Sequence, residues 1–202
     1  KDNYIKETGM SKLMDGVYIS GFLTDGDKTE LDSLAQELHE KGVPFYVRNL
    51  SGVIMQAAFD FADFELIAIA YPVFREFVMN GGYDLAKYFV LRLWNLIAKG
   101  HKSKIPFTVT IEGIPTTTGI ETIKCKISEP LSKKAQEKVV DKAFELASQI
   151  ENHQYQLLDR SRYYDALNGH IFNYDAASET LTEINIEEEL QKRVQKYNDN
   201  AN

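Results

Sequence analysis

Three short stretches carry side-chain types from which a site could be built. The first is Gly21-Phe22-Leu23-Thr24-Asp25-Gly26-Asp27, which brings small residues, a hydroxyl and two carboxylates to the start of a helix. In open α/β sheets, ligands gather beyond the carboxyl ends of the strands. Gly21, Thr24 and Asp25 are therefore candidate ligand-binding residues, and a carboxylate there could act as acid, base or nucleophile. The same residues have a structural use: Asp27 as helix N-cap, Gly26 for the turn and Asp25 for the helix dipole. The second stretch is Asp159-Arg160-Ser161-Arg162-Tyr163-Tyr164-Asp165. Arginine between tyrosines can clamp an anion or stack on a base, although such a run also suits a helix surface laced with i,i+3 and i,i+4 charge pairs. The third, Lys99 to Lys104, is a basic run that reads as a solvated loop between a helix and a strand.

Other chemistries lack their residues. His39, His101, His153 and His170 are too far apart in sequence to make a metal-helix pattern, so no metal site is assigned. There is no phosphate-binding Gly-rich loop followed by Lys and Ser or Thr, no three-glycine dinucleotide fingerprint and no Gly-x-Ser-x-Gly elbow. The sequence calls for no cofactor, and no catalytic residue is assigned. Cys125 is the only cysteine and sits in a strand pattern, which reads as a buried structural thiol in a reducing, cytoplasmic setting.

The net charge of −7 excludes a uniformly basic surface and with it a global footprint for nucleic acid. An apolar segment runs from Phe64 to Ile97, but Glu65, Pro72, Arg75, Glu76, Gly81, Gly82 and Asp84 interrupt it. A membrane span needs roughly 20 mostly apolar residues, so no membrane partner is expected.

The elements that must position these residues follow from periodicity. Residues 1–15 read as a leader. Residues 17–23 form an apolar run that suits a buried strand. Asp27 and Glu30 make a capping box, Leu31, Leu34, Ala35 and Leu38 share one helix face, and Gly42 closes the helix. With a strand from Phe45, this is a βαβ unit with parallel strands. A strand at 65–71 and a helix at 73–80 come next, and Asp84 caps a helix over 85–98 that is apolar on most sides. Phe107-Val109-Ile111 and Ile123-Cys125-Ile127 alternate with polar residues, which predicts an antiparallel hairpin turning at 113–119 with one buried and one wet face. Ser132 caps a helix ending near Ile150. A second hairpin surrounds Asp175-Ala176-Ala177-Ser178, and a charged amphipathic helix covers 186–197. The fold class is α/β, mixed α+β. The domain reading is a main domain at 16–150, a C-terminal extension packed on it at 151–197, and a disordered tail at 198–202.

Val17-Tyr18-Ile19-Ser20-Gly21-Phe22-Leu23, with its helix and second strand, resembles the first βαβ unit of nucleoside deoxyribosyltransferases, and also the opening of TIR-type domains. The resemblance covers about thirty residues and is mostly generic βαβ pattern. Phe22 stands where the transferases have proline, and Glu76 is the nearest match in order to their catalytic glutamate; no residue is carried over.

Two functions are open to this sequence. One is a non-enzymatic interaction or regulatory module that uses an apolar helix surface, with Tyr88, Leu91 and Trp94 as interface residues and a protein partner or a second copy as occupant. The other is a small-ligand enzyme acting on a nucleoside or nucleotide in a pocket at the end of the first βαβ unit.

Overall fold

A computed structural model describes residues 15–21, 23, 27–49, 65–100, 107–167 and 169–200. Seven strands make one mixed sheet in the order β2-β1-β3-β4-β5-β6-β7. They are β1 (Val17–Gly21), β2 (Phe45–Asn49), β3 (Glu65–Ala70), β4 (Phe107–Thr116), β5 (Gly119–Ile127), β6 (His170–Asp175) and β7 (Thr180–Glu183). The helices are α1 (Lys28–Glu40), α2 (Tyr71–Met79), α3 (Tyr83–Gly100), α4 (Lys133–Glu151), α5 (Tyr164–Leu167) and α6 (Ile186–Asn200). This is the expected mixed α+β architecture. No helix among the described residues is long and apolar enough to cross a membrane.

β1 and β2 pair in parallel around α1, as the βαβ pattern predicts. Gly42 ends α1 at φ 72°, where its amide donates to the His39 carbonyl and Val43 reaches back to Leu38. The start of α1 departs from expectation. Asp27 holds the N-cap position, but its φ and ψ are already helical (−84° and −11°), and its side chain makes no capping hydrogen bond. Glu30, the other member of the expected capping box, faces Arg92 of α3 at 3.8 Å.

The core lies between one sheet face and α1 to α4. Val17 and Ile69 from the sheet meet Leu38, Phe74, Phe89, Val90 and Phe144 from these four helices around an apolar cavity of about 20 Å³. Phe74 and Phe144 stack with ring centroids 3.7 Å apart. α3 is the centre of this layer: Phe89, Val90, Leu93, Trp94, Leu96 and Ile97 are all buried. Its polar edges are tied down on both sides. Arg92 donates to Glu37 of α1 at 2.9 Å, and Lys87 donates to Asp141 of α4 at 2.8 Å.

The hairpin of β4 and β5 is antiparallel as expected, but its turn is only Thr117-Thr118. A register shift between Ile111 and Ile114 absorbs Gly113, at φ 81°, as a bulge, so the strands pair on through the segment that reads as a loop. The expected wet face is also corrected. Ser20, Thr108, Thr110 and Lys124 lie on the strand positions opposite the core and are nonetheless buried. Alternation there reports polarity and not exposure, because a polar side chain is buried at low cost once its polar atoms are engaged. Ser20, Thr108 and Lys124 each have a partner, whereas the Thr110 hydroxyl oxygen has none among the described residues.

The C-terminal segment continues the same sheet. β6 pairs in parallel with β5, and β7 closes the second predicted hairpin on β6. Ser132 caps α4 through the Ala135 amide as predicted.

Candidate interaction groove

The chemistry-bearing residues that the structure brings together lie at one end of the sheet. Glu121 occupies the same strand face as Ile123 and Cys125, His170 the same face as Phe172, and Glu183 the same face as Leu181. β5, β6 and β7 thus each put one ionisable side chain where an apolar one belongs. Glu121, His170 and Glu183 have side-chain exposures of 6 %, 6 % and 5 %. The His170 ring lies between the two carboxylates, with Nδ1 2.7 Å from Glu183 Oε1 and Nε2 3.5 Å from Glu121 Oε2. Gly169 makes this placement possible. A Cβ there would sit 2.7 Å from the Thr122 carbonyl oxygen, and its φ of 138° suits only glycine.

The chain between α4 and α5 covers this cluster as a strap. Residues 156–161 form neither helix nor strand, so side-chain bonds fix the strap. The Leu158 amide donates to Glu183 Oε2 at 3.0 Å, and the Tyr155 hydroxyl reaches the same oxygen at 3.5 Å. Arg160 Nη2 donates to Glu121 Oε1 at 2.8 Å and to the Ile120 carbonyl at 3.1 Å. The Tyr164 hydroxyl donates to Glu121 Oε2 at 2.7 Å, beneath the Arg160 guanidinium, whose carbon lies 4.3 Å from the Tyr164 ring centroid. Burial, and then this bond to Glu121, pushes the Tyr164 hydroxyl up to about 12. The Glu121 hydrogen bond raises Arg160.

The other side of the strap forms an open groove of about 480 Å³ with α6, lined by Arg162, Tyr163, Glu187, Leu190, Gln191, Val194 and Gln195. Arg162 lies over the Tyr163 ring and 3.7 Å from Glu187 of α6. Asn185 opens α6 by accepting from the Glu188 amide and donating to the Glu188 carboxylate. Ile186, Leu190 and Val194 recur every fourth residue on one side of α6. Ile186 is buried, Leu190 half-buried, and Val194 61 % exposed. The stripe is thus progressively uncovered along the helix, and residues 191–196 are all exposed.

The residues expected to bind a ligand fare differently. Gly21 is buried, and a Cβ on it would meet Ile97 of α3 at 3.3 Å, so it lets α3 approach β1. Thr24 and Asp25 lie outside the described residues, as do the side chains of the basic run at 99–104. Glu76 is exposed on α2. Of the residues expected at an interface, Tyr88 is exposed and Leu91 half-buried. Trp94 belongs to the core, 5 % exposed and 4.6 Å from the Phe107 ring centroid. Cys125 is fully buried, which pushes its thiol up to about 12. Among the described residues, no group of three or more His, Cys, Asp or Glu could hold a metal ion.

The run at 159–165 is not the expected helix surface. Only α5, from Tyr164, is helical, and the arginines reach carboxylates 39 and 25 residues away in sequence, not i,i+3 or i,i+4 neighbours. A backbone without its own ladder finds its partners in side chains or water, and the Leu158 amide finds Glu183. The signal for the cluster was present in the sequence: an ionisable residue at an apolar-phase position in each of three neighbouring strands. Its meaning requires strand order, which sequence periodicity does not supply. No protein family, curated protein or solved structure matches this chain.

Proposed function

We propose that the chain is a non-enzymatic interaction module that self-associates through α6 and the groove beside it. The observation that carries this reading is the uncovered apolar stripe ending at Val194 on a helix whose charge is split along its length. Glu187, Glu188 and Glu189 occupy its first turn, and Lys192, Arg193 and Lys196 lie around its middle. When two copies of such a helix lie antiparallel about a twofold axis near Lys192, their stripes face each other with Glu187 and Arg193 on the flanks, so the acidic start of each runs toward the basic middle of the other. Leu190 of one copy then falls near Val194 of the other. Isologous pairing of this kind is the commonest route to a homodimer. Opposite charges at the rim set orientation, and the apolar centre supplies affinity.

The buried cluster supports a non-catalytic reading. Glu121, His170 and Glu183 have the chemistry of an acid–base set, but Arg160, Tyr164 and the strap seal them from solvent. A general base must reach its substrate within about 3 Å or through one water.

Sedimentation of the wild-type chain and of Val194→Glu over roughly 1 to 100 µM tests the proposal. The wild type is expected to shift from monomer to dimer, and the variant to stay monomeric at the same fold stability. A wild type that remains monomeric throughout overturns it.

A further inference from the structure

We infer that Glu121, His170 and Glu183 position the wall of the groove that the strap supplies, so this buried cluster sets the strength of self-association without touching the second copy. The inference rests on the self-association reading. The strap presents two sides. Tyr155, the Leu158 amide and Arg160 face the two carboxylates; Arg162 and Tyr163 face α6. Residues 156–161 have no regular secondary structure. The bonds to Glu121 and Glu183 hold the strap from one side, as the Arg162–Glu187 contact holds it from the other, and together they fix the height of Arg162 and Tyr163 above α6.

The cluster has the rigidity that this task needs. Glu121 belongs to β5, the imidazole to β6 and Glu183 to β7, so the three anchors sit on adjacent strands of one sheet. His170 bridges the two carboxylates across the intervening strand and keeps each of them aimed at the strap. Each carboxylate divides its oxygens: one Glu121 oxygen takes Arg160 and the other Tyr164, while one Glu183 oxygen takes the ring and the other the Leu158 amide. Removing one anchor from such a set leaves buried partners unpaired and frees the segment that depended on it. A partner that needs the ordered groove must then order the strap on binding, and its affinity falls accordingly.

Two variants test this. Glu121→Gln removes the charge that holds Arg160, and Arg160→Met, at a half-exposed side chain, removes the same link with little risk to the core. Amide hydrogen exchange over residues 155–163 reports the strap, and the dimer dissociation constant reports the groove. Both variants are expected to exchange faster across the strap and to dimerise about tenfold more weakly. Val194→Glu is expected to lose the dimer with strap exchange equal to that of the wild-type monomer. Faster strap exchange with an unchanged dissociation constant overturns the positioning role and leaves self-association standing. Unchanged exchange in both variants overturns the anchoring itself. A monomeric wild type overturns the self-association reading instead.

Discussion

α3 and α6 are both amphipathic helices, and their fates are opposite. α3 carries far more apolar surface, and the fold consumes it: sheet, α1, α2 and α4 surround it, and even its Arg92 and Lys87 are paired to flanking helices. α6 is mostly charged, has one narrow apolar stripe, and leaves the outer half of that stripe uncovered. A residue's hydrophobicity states how strongly it seeks cover, and only the fold states whether the chain itself supplies that cover. The helix that looks sticky in sequence is the one most fully satisfied.

The comparison breaks most easily at α3. Trp94→Ala removes a core ring packed against Phe107, and a loss of about 3–5 kcal/mol is expected in urea unfolding. A loss below 1 kcal/mol would mean that the tryptophan is not core and that α3 has a free side after all.

The same contrast explains what was legible in the sequence. The βαβ unit, both hairpins, the α4 cap and the Gly42 stop were readable because each rests on local periodicity or turn chemistry. The Asp27 cap failed because the Asp27 backbone is already helical, whereas a capping side chain needs an extended residue to reach back to the first amides. The 113–119 turn was misread because a bulge at Gly113 lets the strands continue past a loop-like sequence. The Lys124 face was misread because alternation cannot distinguish polar from wet. For the site, Glu121, His170 and Glu183 lie on three strands whose adjacency is a topological fact, so no single window reveals them. Trp94 reads equally as surface or core, because a helix apolar on most sides fits core and interface alike.

A smaller effect sharpens the cluster end of the molecule. Gly169→Ala forces a Cβ onto the Thr122 carbonyl at an unfavourable φ, and about 1–3 kcal/mol should be lost in urea unfolding, with faster strap exchange as His170 is displaced. Stability unchanged within about 0.5 kcal/mol would contradict the tight passage between β5 and the start of β6.

The alkaline limit tests the same burial through pH. The Cys125 thiol is raised from 9.0 and the Tyr164 hydroxyl from 10.0, both to about 12. A group raised in the folded state binds its proton there more tightly, so its contribution is complete below the unfolded value and is lost as pH rises through the folded one. Unfolding free energy should therefore decline between pH 9.0 and about 12, and Cys125→Ala should remove the earlier part of that decline. A flat profile in the wild type would contradict the burial of both groups.

The most direct test of the central claim is the twofold pairing of α6 itself, through charge reversal. Arg193→Glu, beside the stripe, puts acid against acid between two identical copies and should abolish the dimer. Glu187→Lys, on the other flank of the stripe, should do the same by setting base against base. Mixing the two variants restores opposite charges across the pair, and sedimentation should then show a heterodimer formed only in the mixture. Homodimers that persist in each charge-reversed variant, or a mixture that stays monomeric, would contradict antiparallel association through α6.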